Sequence, residues 1–282
     1  MPPTIALLTD FGCRDVFVGV MKGVILRAAP QARLIDLTHE IPAGDVRDAA
    51  FRLWQAAPFM PPGTILLAVV DPGVGSSRKP VAVSVGPFTC VGPDNGVFSY
   101  LLAGLTGVEA VEITAPGIAG PDFAVAGASD TFHGRDIFAP AAARLALGLP
   151  VSTLGPRIAA LVTLPFPRLT CAQKELHGEV LGADGFGNIV TSIGRLRRTA
   201  AGMTLDPWIP TCRGMDLPPE ALFLRLPDGR IVPLGRTFSD VLPGSLLAYI
   251  GSSGLVEIAV NNGSAQELLH CAPGAQVTLL LP

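Results

Sequence analysis

Through the first half of the chain, short runs of consecutive apolar residues alternate with segments that are apolar only every third or fourth position. IALLT (5–9), RLIDL (33–37), TILLAVV (64–70), PVAVSV (80–85) and FTCV (88–91) have the length and content of buried strands. Residues 15–29 show helical spacing and stop before Pro30. A second helical segment, 45–57, is ended by Pro58 and the Pro61-Pro62-Gly63 turn, and a third spans 136–148 despite Pro140. Strands without polar alternation are covered on both faces. Alternation of strand and helix therefore predicts an α/β domain with a mostly parallel sheet over about residues 1–165.

From about residue 170 the pattern changes. The stretches 177–193, 222–234 and 255–265 are short apolar runs interrupted by Asp-Gly and Asn-Gly, which are hairpin signals, and helical spacing nearly disappears. A small all-β domain is expected over 170–282, joined through the proline-containing LVTLPFPRL at 161–169. No internal repeat is visible.

Composition narrows the function classes. With 49% apolar and 15% charged residues, the chain is neither disordered nor fibrous. The net charge is -3, and the basic residues, only three of them lysine, are scattered, so nothing supports a nucleic-acid partner. The five cysteines form no Cys-x-x-Cys pair and read as thiols in a reducing compartment. The N-terminal segment lacks a basic region before its apolar run, and no apolar run reaches about 18 residues, so neither a signal peptide nor a membrane span is expected. A soluble cytoplasmic protein is the expectation.

Two segments carry the candidate chemistry. VVDPGVGSSRK (69–79) ends an apolar run in Asp71 and reaches Arg78 after a glycine turn, and SDTFHGRDIFAP (129–140) sets His133 at a helix start between Asp130 and Asp136. A carboxylate, a guanidinium and an imidazole are the residue types that hold and polarise a water. The glycine turn lacks the Gly-Lys-Ser/Thr ending of a phosphate loop, though it leaves backbone free to approach a ligand. Asp130, His133 and Asp136 do not add up to a metal-ligand set, and no metal is expected. Asp10, at a strand end, is placed where open α/β sheets bind ligands, or it is a turn aspartate capping the next helix; position alone leaves both readings. His39 reads as a structural loop histidine, and His177 and His270 as surface residues. Phe186 and Phe238 are loop aromatics suited either to core packing or to stacking on a planar ligand.

Taken in order over nearly the full length, LTDFGCRDVFVGVMKGVI, DLTHEIPAGDVRDAAF, VDPGVGSSR, VGPDNGVFS, DTFHGRDIFAPAAA, ADGFGNIVTSI and SSGLVEIAVNNG closely resemble the S-adenosyl-L-methionine (SAM) hydroxide adenosyltransferases, or SAM hydrolases, relatives of the SAM-dependent fluorinase and chlorinase. The resemblance implies hydrolysis of SAM to adenosine and L-methionine, with SAM as substrate and no cofactor. It also implies a barrel-like C-terminal domain and a homotrimer with active sites at subunit interfaces. By position, Asp71, Arg78 and His133 would hold the water and Asp10 the ribose hydroxyls. Phe186, Asn188 and Phe238 would form the adenine site, Asp184 would meet the methionine ammonium, and Ser252 with the Ser253 backbone would take its carboxylate. Halogenating relatives carry a halide-binding serine where this chain has Gly134, lack an aspartate at the position of Asp71, and, in the fluorinase, have a tryptophan at the position of Gly44. A SAM-dependent chlorinase and a non-catalytic adenosine- or SAM-binding module are the rival expectations.

Overall fold

The computed structural model describes residues 2–118, 129–172, 174–200, 202–217 and 222–281. It divides into two units, residues 1–164 and 165–282.

The first unit is built on β1 (Thr4–Thr9), β2 (Arg33–Thr38), β3 (Ile65–Val69), β4 (Pro80–Val85), β5 (Phe88–Pro93) and β6 (Glu109–Glu112). They form one sheet in the order β2-β1-β3-β5-β4-β6. β1 runs parallel to β2 and β3, and β3 parallel to β5, while β4 is antiparallel to β5 and β6. Helices α1 (Phe17–Ala28), α2 (Val46–Ala56), the single turns α3 (Ser99–Leu102) and α4 (Ala115–Ile118), and α5 (Ala139–Ala146) complete it.

Alternation along β1 sorts its side chains to two cores. Ile5 and Leu7 face Met21 and Ile25 of α1 and the alanines of α5, whereas Ala6 and Leu8 face Ala49 and Leu53 of α2. The central strands are apolar throughout because both faces are covered. α2 starts where Asp45 accepts a hydrogen bond from the Asp48 N–H at 2.9 Å. α1 begins two residues later than its spacing suggests, because 11–16 form turns beyond the end of β1.

The expected helix at 136–148 has a different interior. Its first turn, Gly134–Phe138, is a π-turn, closed by the Ala139 N–H on the Gly134 carbonyl. Pro140 explains it: proline has no N–H for the Asp136 carbonyl and its ring would crowd that oxygen in an α-turn.

The second unit is antiparallel. β7 (Leu169–Ala172), β8 (Glu175–Ala183), β9 (Ile189–Thr191), β13 (Phe223–Arg225), β14 (Ile231–Pro233), β15 (Leu246–Ile250), β16 (Val256–Val260) and β17 (Gln276–Leu280) share one sheet. Its order is β14-β13-β17-β8-β9-β16-β15, with β7 on β8. A bridge from Leu234 to Ala248 joins the two ends, so the sheet nearly closes into a barrel around Leu176, Val180, Ala248, Ile258 and Leu279. β10 (Leu196–Thr199), β11 (Gly202–Leu205) and β12 (Met215–Leu217) form a separate three-stranded sheet. The Asp184 and Asp228 turns join neighbouring strands. Asn262-Gly263 does not: it leads into α6 (Ala265–Leu269), whose start is capped by Ser264 Oγ accepting from the Glu267 N–H at 3.1 Å.

Candidate active site

β1 and β3 are parallel neighbours whose last paired residues are Thr9 and Val69. Asp10 and Asp71 follow them, so both carboxylates emerge at the same sheet edge, where open α/β folds collect ligands. Between Asp71 and Arg78 the chain makes two tight turns, Val74 N–H to the Asp71 carbonyl at 3.2 Å and Ser76 N–H to the Gly73 carbonyl at 3.1 Å. These bring the arginine back onto the aspartate. Gly75 has φ of +76°, and a Cβ there would stand 2.7 Å from the Asp130 carbonyl oxygen. The glycines of this loop therefore serve to pack it against the segment carrying His133.

Arg78 Nε donates to both Asp71 carboxylate oxygens at 2.9 and 3.0 Å, and Nη2 donates to Oδ2 as well. The two side chains are 9% and 6% exposed, so the pair is desolvated and its breakage is costly. The same Nη2 reaches His133 Nδ1 at 2.5 Å, while the guanidinium carbon lies 5.2 Å from the centroid of Phe138 in the π-turn. Burial, and after it the Arg78 charge, hold His133 below its ordinary value despite nearby carboxylates. Behind it, Asp136 accepts from the Ser129 N–H at 2.8 Å and from Arg135 Nε at 2.6 Å. Burial opposes ionisation of Asp136, but these bonds outweigh it and keep the carboxylate below its usual range.

Asp10 does not cap a helix. α1 has no side-chain cap, and Asp10 Oδ2 instead accepts from the Gly44 N–H at 2.8 Å. Gly44 has φ of +73°, which a tryptophan would adopt only under strain. A cavity of about 450 Å³ in this unit is lined by Asp10, Gly44, Asp71, His133 and Gly134, among others. A Cβ on Gly134 would fall 3.0 Å from both Met21 Sδ and Phe132 Cε2, so a serine there requires its neighbours to move.

The remaining six positions lie in the second unit. Asp184 Oδ1 accepts from the Phe186 and Asn188 N–H groups and Oδ2 from Asn188 Nδ2, all at 2.9 Å, so the aspartate organises its own turn. Phe186 is 83% exposed at its tip. Phe238 lies 5.0 Å from Tyr249, centroid to centroid. Ser252 is exposed, and Ser253 Oγ is buried with no hydrogen-bond partner among the described residues.

Sequence reasoning missed two features. Tyr249 donates a short hydrogen bond to Glu257, a buried carboxylate raised above its ordinary range by burial and, further, by the charge of Asp184. Its carboxylate lies so near Gly251 that a Cβ there would be 1.8 Å from Oε1, which ties this pair to the Ser252–Ser253 turn. A lone glutamate inside the apolar VEIAV strand was the available signal. The second feature is a trio of rings, Phe11, Phe17 and Phe132, on the cavity wall. Among the described residues no three His, Cys, Asp or Glu side chains are grouped to hold a metal, and no helix is long and apolar enough to cross a membrane.

Comparison with known proteins agrees over almost all of the chain. Residues 5–155 match the family model for the SAM hydroxide adenosyltransferase N-terminal domain, and 178–278 match that for the C-terminal domain. An (R)-S-adenosyl-L-methionine hydrolase of Salinispora tropica is 43% identical over 96% of this chain and 95% of its own. A fluorinase of Nocardia brasiliensis is 25% identical over 93% of this chain and 91% of its own. The crystal structure of an uncharacterized conserved protein from Thermotoga maritima superposes with a TM-score of 0.83 at 34% identity, covering 98% of this chain and 99% of that one.

Proposed function

The chain belongs to the SAM hydroxide adenosyltransferase family, and from that membership we propose that it hydrolyses SAM to adenosine and L-methionine by attack of water on the ribose C5′. The observation that carries this reading is the Asp71–Arg78–His133 set at the cavity. The sulfonium leaves as a neutral thioether and needs no general acid, so only the nucleophile needs help. Water, with a pKa of about 15.7, needs a group to receive its proton.

The hydrogen bonds support one division of roles. A guanidinium donates and never accepts, so Arg78 Nη2 donates into His133 Nδ1, and the neutral imidazole carries its proton on Nε2. His133 then orients the water by donation, and Asp71 is left to accept the water's proton. The new O–C5′ bond forms as C5′–S breaks, with its electron pair going to sulfur. Arg78 offsets the negative charge that develops on the nucleophile. Reaction between hydroxide and sulfonium annihilates charge, which a poorly hydrated cavity favours.

Asp10 accepts the ribose hydroxyls; Phe186, Asn188 and Phe238 form the adenine site; Asp184 meets the substrate ammonium, and Ser252 with the Ser253 backbone takes the carboxylate. The family resemblance supports a homotrimer in which the second unit of one subunit completes the site of the next. The five cysteines are all free thiols, which supports a cytoplasmic setting. No cofactor or metal enters the proposal. Tight packing at Gly134 and the presence of Asp71 speak against a chlorinase, and the desolvated Asp71–Arg78 pair against a mere binding module.

Turnover of SAM in ¹⁸O-labelled water tests the reading. Adenosine labelled at the 5′-oxygen, with an unchanged product when chloride is added, is the expected outcome. Unlabelled adenosine, 5′-chloro-5′-deoxyadenosine, or folded protein without turnover would overturn it.

A further inference from the structure

The cavity wall opposite in character to its carboxylates is aromatic. Phe11 and Phe17 have ring centroids 5.8 Å apart, Phe11 and Phe132 5.9 Å, and Phe17 and Phe132 5.2 Å, the last two pairs edge to face. Phe17 is 43% exposed at the start of a helix that buries Val18, Met21 and Ile25. One ring already holds a cation: the Arg135 guanidinium carbon sits 5.4 Å from the Phe132 centroid. Among the described residues the cavity lining includes Asp10 and Asp71 but no lysine or arginine, and burial and the Arg78 charge hold its histidine below its ordinary value. Asp71 is already paired with Arg78, so Asp10 and the ring faces are the features of the lining that favour positive charge.

We infer that Phe17, tilted against Phe11 and packed edge to face on Phe132, is the surface that recognises the sulfonium of the substrate, and that the enzyme discriminates charged substrate from neutral thioethers there. This rests on the function proposed above. A sulfonium has no N–H or O–H to donate, so its recognition rests on negative charge, acceptor dipoles and the negative face of a ring. The interaction belongs to the bound substrate more than to the transition state, where the charge is being annihilated. Loss of the ring therefore raises KM without lowering the rate of the bound complex.

The test compares wild type with Phe17→Leu, which keeps an apolar side chain and removes the π face. Three quantities are measured: the steady-state constants for SAM, and the inhibition constants of a nitrogen-for-sulfur analogue bearing a protonated amine and of S-adenosyl-L-homocysteine, a neutral thioether. The substitution should weaken the cationic analogue and raise KM by about three- to thirtyfold, and change the neutral thioether less than twofold. Equal weakening of both inhibitors, no weakening of either, or a loss confined to kcat would overturn the inference. A smaller sedimenting species for Phe17→Leu would also overturn it, by making the ring a subunit contact. If wild type binds the cationic analogue preferentially but does not turn over SAM, the functional proposal fails and the aromatic recognition stands.

Discussion

Replacing Asp10 with Ala separates two roles of one carboxylate. Its Oδ2 accepts the Gly44 N–H at 2.8 Å. Removing it leaves that half-buried N–H unpaired, which costs about 1–3 kcal/mol, or a Tm lower by about 2–12 °C for a unit of this size. The ligand term is distinct. A carboxylate that accepts both hydroxyls of a vicinal diol makes two charge-assisted bonds of about 1.5–3 kcal/mol each. With water refilling part of the site the lower values apply. Adenosine should then bind Asp10→Ala roughly a hundredfold more weakly (about 3 kcal/mol), and 2′-deoxyadenosine, with one of the two hydroxyls, only about tenfold. Calorimetric titration of both nucleosides into both proteins, with a thermal melt of each, reads the two terms separately. Equal losses for the two nucleosides would show that Asp10 acts only by holding the Gly44 loop.

Asp71→Asn, Arg78→Ala and His133→Ala should each lower kcat by about 10²–10⁴ with adenosine affinity nearly intact. The double variants should lose little more than the singles, because the three hold one water; additive losses would refute the shared role. Because burial and Arg78 depress His133, its neutral form prevails above the ordinary value of 6.5. Activity should hold as pH falls to that value and drop only below it, as the histidine protonates against Arg78. The stability that the group contributes is likewise present above 6.5 and lost as pH falls through the folded-state value; a rate profile already falling between pH 8 and 7 on this limb would contradict the assignment. Full-length Asp71→Asn and Asn188→Ala chains, each inactive alone, should regain part of the activity when refolded together, since mixed trimers of the proposed kind would contain sites with both wild-type halves. Absence of complementation in verified mixed oligomers would place each site within one subunit.

Much of the first unit was legible because its signals are local. The apolar runs of β1 and β3 mark strands buried on both faces, and Asp10 and Asp71 follow directly from where those runs end. The pairing of Arg78 with Asp71 spans seven positions. Its contact with His133 spans 55, and the packing of Gly75 on Asp130 and of Arg78 on Phe138 brings those segments together. Nothing in either segment alone records that contact. Asn262-Gly263 was misjudged for the opposite reason: the dipeptide is a strong local hairpin signal, but Ser264 directly behind it caps a helix. Phe11 and Phe17 escaped notice because single apolar residues near strand and helix ends resemble core, and their grouping with Phe132 exists only in three dimensions.

The π-turn at Gly134–Phe138 also limits how the length of this segment can vary. A π-turn holds one more residue per hydrogen-bonded loop than an α-turn, and each helical residue rotates the chain by about 100°. Removing any one residue between His133 and Ala139 would take away the extra residue of the π-turn, with Pro140 still opposing an α-turn, and would rotate the imidazole by about that angle relative to the alanine face of α5. That face is fixed against the sheet, so the histidine, not the helix, would take up the rotation and lose Arg78. A conservative substitution at half-buried Ile137 can be absorbed, whereas a single deletion cannot. Descendants of this sequence can therefore drift at that position while the count of residues from His133 to Pro140 stays constant.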